Sequence, residues 1–264
     1  MKKILPIILS TFILSFLFFM TPSMTYASSS GHGKADTKGL ISQPTGDPSI
    51  GYPQIAIRTN AEPNPLDFDQ YANEADSIAD RYPEGDTVGR SKAVENYLLK
   101  KIDSGSLGHV WIILFKSSKP GDYVSYSYWY GSAYVSNDNP KKPGAYDPAD
   151  REFRFQKNIK LPQNITVSKI ENEIIPPLLE QSTVIGKLLG IPEDIPGNGT
   201  FTPLTTCSWF CGNLWNSINS SQNQVNFTSP FSNAEEHAKK WGMPFLTKFD
   251  GFANPGALAK FLNQ

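Results

Sequence analysis

The chain of 264 residues carries two cysteines and three histidines, so the side chains able to do nucleophilic chemistry near neutral pH are quickly enumerated. Cys207 and Cys211 lie in Thr205-Thr206-Cys207-Ser208-Trp209-Phe210-Cys211-Gly212. Phe210, Leu214 and Ile218 recur at helical spacing, and Thr205 or Thr206 is a fitting N-cap. Cys207 therefore falls in the first helical turn, where unpaired N–H groups and the positive end of the dipole favour a thiolate over a neutral thiol. The thiolate is the attacking form, which makes Cys207 the candidate nucleophile. Cys211, one turn deeper, reads as a small core residue.

A nucleophile of this kind needs a base. His32 sits in a polar leader, and His237, within Glu235-Glu236-His237-Ala238-Lys239-Lys240, reads as a solvated helix face. His109 follows Gly108 directly and opens the apolar run that ends at Phe115. Strand alternation puts His109 on one face with Trp111 and Ile113, and a rigid strand suits a general base. Cys207 and His109 each also fit a packing role, as a buried thiol and a satisfied strand-end histidine. A third group must orient the imidazole and stabilise its charged form, which a carboxylate does better than a hydroxyl. Asp150, in Tyr146-Asp147-Pro148-Ala149-Asp150, is the residue assigned to this role, with Asp147, Ser125 and Ser127 as alternatives.

The elements that must carry these residues follow from periodicity. Phe68, Tyr71, Ala72, Ala75, Ile78 and Ala79 mark a helix, and Val88 to Ile102 a second one. His109 to Phe115 predicts a central strand, returned through Pro120-Gly121 into Tyr123 to Tyr130 as a hairpin. In the returning strand Tyr123, Ser125, Ser127 and Trp129 alternate with Val124, Tyr126, Tyr128 and Tyr130, an aromatic row better suited to packing than to display. Glu152 to Gln156 offers a third strand, and Thr166 to Gly190 a helical stretch broken by Pro176-Pro177. Short helices are expected at Ala234 to Trp241 and Pro255 to Leu262. The class is α+β, a central antiparallel sheet packed by helices.

Lys2 and Lys3, the apolar stretch from Ile4 to Met20 and Thr25-Tyr26-Ala27 have the order of a secretory signal peptide, residues 1–27, cleaved after Ala27. Its apolar core is shorter than the ~20 residues of a spanning helix, so no membrane span is expected after cleavage. The composition of residues 28–65 predicts a flexible leader, and residues 66–264 the folded domain. The expected location is secreted or extracytoplasmic, with bacterial export. An oxidising compartment leaves a Cys207–Cys211 disulfide open beside the helix, although Cβ atoms four apart on a helix are ~5–6 Å apart and a disulfide needs ~3.8 Å.

Hydrophobic residues make up 39% of the chain and aromatic residues 12%, enough for a substantial core. The net charge of −1 carries no basic footprint for nucleic acid. Cysteines and histidines lack metal-ligand spacing, no Gly-rich loop fits a phosphate cradle, and no cofactor is implied.

Taken together, Gly108-His109-Val110-Trp111-Ile112 on a strand, followed about a hundred residues later by Thr206-Cys207-Ser208-Trp209-Phe210 opening a helix, resembles the circularly permuted papain-like domains of the NlpC type. In those domains the histidine strand precedes the cysteine helix. The similarity covers Gly108 to Ile218, with Thr206 where such domains often carry Asn or Asp. The resemblance implies a permuted papain-like domain with a C-terminal helical extension. It also implies a thiol hydrolase or acyl transferase of the cysteine peptidase or amidase type, acting on a peptide, peptidoglycan or other acyl substrate. A non-catalytic secreted binding module on the same scaffold and a toxin-like effector are the alternative readings.

Overall fold

The computed structural model describes residues 39–103, 107–138, 146–249 and 251–264; the expected signal peptide and His32 lie outside them. Five antiparallel strands form the sheet: β1 (Gln54–Thr59), β2 (Val110–Phe115), β3 (Tyr123–Trp129), β4 (Ala133–Val135) and β5 (Phe155–Lys160), in the order β4-β3-β2-β1-β5. The β-branched and aromatic run Val-Trp-Ile-Ile-Leu-Phe of β2 is buried along its whole length, as a central strand requires. It pairs with β3 in the register Ile112↔Tyr126, so the expected hairpin is present.

Two strands depart from the sequence reading. Residues 28–65 were expected to form a flexible leader, yet β1 lies inside that range, between β2 and β5, with every residue buried. Its apolar core is only Ile55-Ala56-Ile57, and the polar residues around it gave no hydrophobic period. Arg58 is buried because its guanidinium donates to the carbonyls of Ala149 and Gln43 at 2.7 Å and lies over the Phe153 ring, 4.3 Å from the centroid. The strand expected at Glu152 to Gln156 begins instead at Phe155, while Phe153 bridges to Ile41 and packs beside Trp111.

One face of the sheet carries Ile55, Ile57, Val110, Ile112, Val124, Tyr126 and Tyr128 and packs on α5 (Cys207–Ile218) through Phe210, Cys211, Leu214 and Trp215. The other face carries Ala56, Trp111, Ile113 and Phe115. Before α5 run a helical turn α3 (Val167–Lys169), a π turn over Ile170–Ile174, and α4 (Ile175–Leu189). The expected break at Pro176-Pro177 is not found: α4 follows the π turn directly, and the two prolines sit where the wider π ladder gives way to the α ladder.

A second core is built by α1 (Phe68–Ala79), α2 (Thr87–Asp103) and α6 (Ala234–Trp241) around Trp241, with Phe252 of β7 (Gly251–Ala253). β7 pairs with β6 (Thr228–Pro230) and leads into α7 (Pro255–Leu262). The helices expected in the tail are found at the expected residues. His237, expected in solvent, is buried: Nδ1 lies 2.9 Å from Asp76 Oδ1 and the ring stacks on Phe231. Its charged neighbours concealed this, because only one side of α6 faces α1. Among the described residues no helix is long and apolar enough to cross a membrane.

Gly108 sets the start of β2. Its φ is +80°, and a Cβ there would lie 2.7 Å from Ala61 Cα, against backbone that cannot swing aside. Gly108→Ala is expected to destabilise the fold by about 1–3 kcal/mol from this backbone conformation alone, read as a lowered urea midpoint, and to displace His109.

Candidate active site

The site lies where β2 begins and β3 ends. Helix α5 starts at Cys207 because Thr206, in extended backbone, accepts the Trp209 N–H on its side chain. His109 is fixed by its own backbone: its N–H donates to Asn60 Oδ1 at 2.7 Å, and its carbonyl accepts from the Asn60 N–H. Continuing the β2–β3 register places His109 opposite Trp129, and the two rings stack with centroids 4.0 Å apart. The imidazole is thereby held from backbone, face and edge.

On the ring edge, Nε2 lies 2.9 Å from Asp147 Oδ2, and the imidazole and the Cys207 thiol lie close enough to interact electrostatically. With Nε2 engaged by Asp147, Nδ1 is the nitrogen available to sulfur. Asp147 is fully buried and is itself supported by two neighbours. Its backbone N–H donates to Ser127 Oγ at 3.2 Å, and Oδ1 accepts from Arg151 Nη1. Arg151 sits between Trp111 and Trp129, its guanidinium carbon 5.0 and 5.1 Å from their ring centroids. The chain of contacts runs Arg151–Asp147–His109–Cys207.

The charges in this chain support one another. Burial alone disfavours an imidazolium, but Asp147 and Cys207 outweigh it and push the His109 pKa up to about 9. Burial likewise disfavours the thiolate, and His109, aided by the Val110 N–H, outweighs it and lowers the Cys207 pKa. Asp147 is held below the usual carboxylate range because His109 and Arg151 overcome the cost of its burial. Cys211 has no such help: burial raises its thiol pKa well above the ordinary value, and Sγ points to the Val110 carbonyl at 3.5 Å. Both cysteines are free thiols, which answers the open question of a disulfide between them.

The structure brings Cys207 and His109 together, and corrects the third residue. Asp150 is exposed and contributes only its carbonyl, which accepts from Ser42 Oγ at 2.9 Å. Asp147 takes the place expected for it. Asp147 is the one on the histidine face, and its spacing of four from Arg151 was the available signal. Ser127 positions Asp147, whereas the Ser125 N–H donates to Asn137 and takes no part in the chain. Arg151 and Asn60 were not foreseen, since each acts through a contact between segments distant in sequence.

Cys207 and His109 open on a cavity of about 130 Å³ lined mostly by apolar side chains. Among the described residues no group of three or more His, Cys, Asp or Glu is arranged to hold a metal ion. Comparison with protein-family models, curated proteins and solved structures gives no match to this chain.

Proposed function

We propose that the protein is a cysteine hydrolase or acyl transferase in which Cys207 is the nucleophile, His109 the general acid and base, and Asp147 the group that orients His109. The observation that carries this reading is the buried pairing of His109 Nε2 with Asp147 Oδ2 at 2.9 Å, with Cys207 beside His109 at the wall of the same cavity and in electrostatic contact with it. An antiparallel sheet whose histidine precedes the cysteine helix in chain order supports a permuted papain-like arrangement. The apolar, lysine-led N-terminal sequence supports action outside the cytoplasm.

In this mechanism the Cys207 thiolate attacks a substrate carbonyl carbon, and the oxyanion is met by N–H groups in the first turn of α5. The imidazolium of His109 protonates the leaving amine or alcohol as the C–N or C–O bond breaks, leaving a thioester on Cys207. Water, giving a proton to His109, attacks the thioester; the C–S bond breaks, the acid leaves and the thiolate returns. An acceptor nucleophile in place of water gives acyl transfer.

The test is iodoacetamide alkylation of the folded protein across pH with peptide mapping. Modification selective for Cys207, with an apparent pKa below the ~8.5 of a free thiol, is expected, with Cys211 unlabelled. Slow labelling with an ordinary or raised pKa removes the hydrolase reading and leaves a binding module. The pH dependence of hydrolysis carries a sign of its own. kcat/KM rises as Cys207 ionises below the ordinary thiol range and falls as the imidazolium is lost near pH 9, giving a bell set by the coupled pair. A curve that keeps rising through pH 10 excludes His109 as the acid.

A further inference from the structure

The cavity beside Cys207 has two unlike sides. The catalytic side comes from β2, β3 and α5, within the stretch from Gly108 to Ile218. The facing side is supplied from outside that stretch, by Leu66, Leu99, Ile102 and Phe252, on the segment before α1, on α2 and on β7. Leu66, Leu99 and Ile102 are only half-buried, apolar side chains left partly open at a site where every reacting group is polar. Among the described residues Lys100 and Lys101 on α2 are absent from the lining, and Arg151, whose Nη1 is held by Asp147, is the single charged side chain of fixed sign in it.

We infer that this facing side is an acyl-group pocket, selecting substrates whose carbonyl carries one compact apolar group, such as a phenyl ring or an unbranched chain of about six carbons, the size that a dry cavity of similar volume admits. The inference rests on Cys207 being the nucleophile proposed above. Polar glycan or multiply charged peptide moieties on the acyl side would leave their polar groups unpaired against Leu99 and Ile102, so they belong on the leaving-group side. The selecting wall lies on elements other than those carrying the nucleophile and base.

The experiment uses N-alkyl maleimides as probes of Cys207 in the folded full chain: N-methyl, N-propyl, N-hexyl, N-phenyl and N-(carboxyalkyl), with iodoacetamide alongside. The second-order rate for N-hexyl and N-phenyl is expected to exceed that for N-methyl by about tenfold, from apolar area buried in the transition state. The carboxylated probe is expected to be slowest. Leu99→Ser and Ile102→Ser are expected to bring the hexyl-to-methyl ratio towards one. Val88→Ser, on an exposed position of α2 away from the cavity, is the control that keeps the ratio. The ratio compares two probes on the same protein, so partial unfolding of a variant shows separately, as Cys211 labelling. Equal rates along the series, while iodoacetamide still reports an activated Cys207, overturn the pocket and leave the catalytic reading standing. A Cys207 with ordinary reactivity towards iodoacetamide overturns both.

Discussion

Asp147→Ala is expected to lower turnover of a chromogenic ester or thioester probe by about 10³-fold, within the 10²–10⁴-fold that a positioned general acid and base contributes. The same substitution removes the counter-charge from the buried His109 and the partly buried Arg151 at once. His109 loses the acceptor at Nε2, and Arg151 loses its carboxylate partner, so stability should fall by about 3–5 kcal/mol, as when one member of a buried ion pair is deleted. Asp147→Asn separates the two consequences. The amide keeps the shape and can still accept from Arg151 or face His109, so most of the stability should return, while turnover stays below wild type because a neutral amide oxygen stabilises an imidazolium less than a carboxylate does. Asp150→Asn, at the neighbouring exposed position, should leave both measurements near wild type. A large loss in Asp150→Asn with none in Asp147→Asn would reverse the assignment.

His109→Ala should produce the larger chemical effect and the smaller structural one. Without the imidazolium, burial of the Cys207 thiol is opposed only by the Val110 N–H and the Ser208 hydroxyl, the smaller of the lowering influences, so its pKa should move from below the ordinary value to above it. Alkylation at pH 7 should then slow by about 10²-fold or more as the thiolate fraction falls, and turnover by roughly 10³–10⁴-fold, since base and acid are both removed. The stability cost combines a cavity beneath Trp129 with an unpaired Asp147 oxygen. Raising the pH should recover alkylation, because hydroxide can form the thiolate, but not turnover, because nothing then protonates the leaving group. Recovery of both at high pH would mean that His109 serves only to hold Cys207 in place.

Much of this arrangement was legible from residue order. The strand from His109 and the helix opening at Cys207 each announce themselves by apolar period and cap chemistry, and the alternation along Tyr123 to Trp129 assigns its two faces correctly. What escaped were residues whose roles depend on partners far away in sequence. β1 is held in the sheet by neighbours on both edges and by an arginine solvated by carbonyls, so its polar letters concealed a buried strand. His237 looked exposed for the converse reason: its neighbours are charged, and nothing local to α6 shows that His237 and Lys240 both turn to Asp76 on α1. Between Asp147 and Asp150 the sequence offered only proximity to a turn; the choice is made by which carboxylate falls on the face shared by His109, Ser127 and Trp129.

Asn254 accepts the Ala257 N–H at the start of α7 and, with the same oxygen, the Leu66 N–H just ahead of α1. This one side chain ties together segments from opposite ends of the folded body, and both border the cavity. During synthesis His109 is made first, Cys207 much later, and the segment carrying Phe252 and Asn254 later still. A nascent or truncated chain therefore holds its thiol without the enclosure that would direct it.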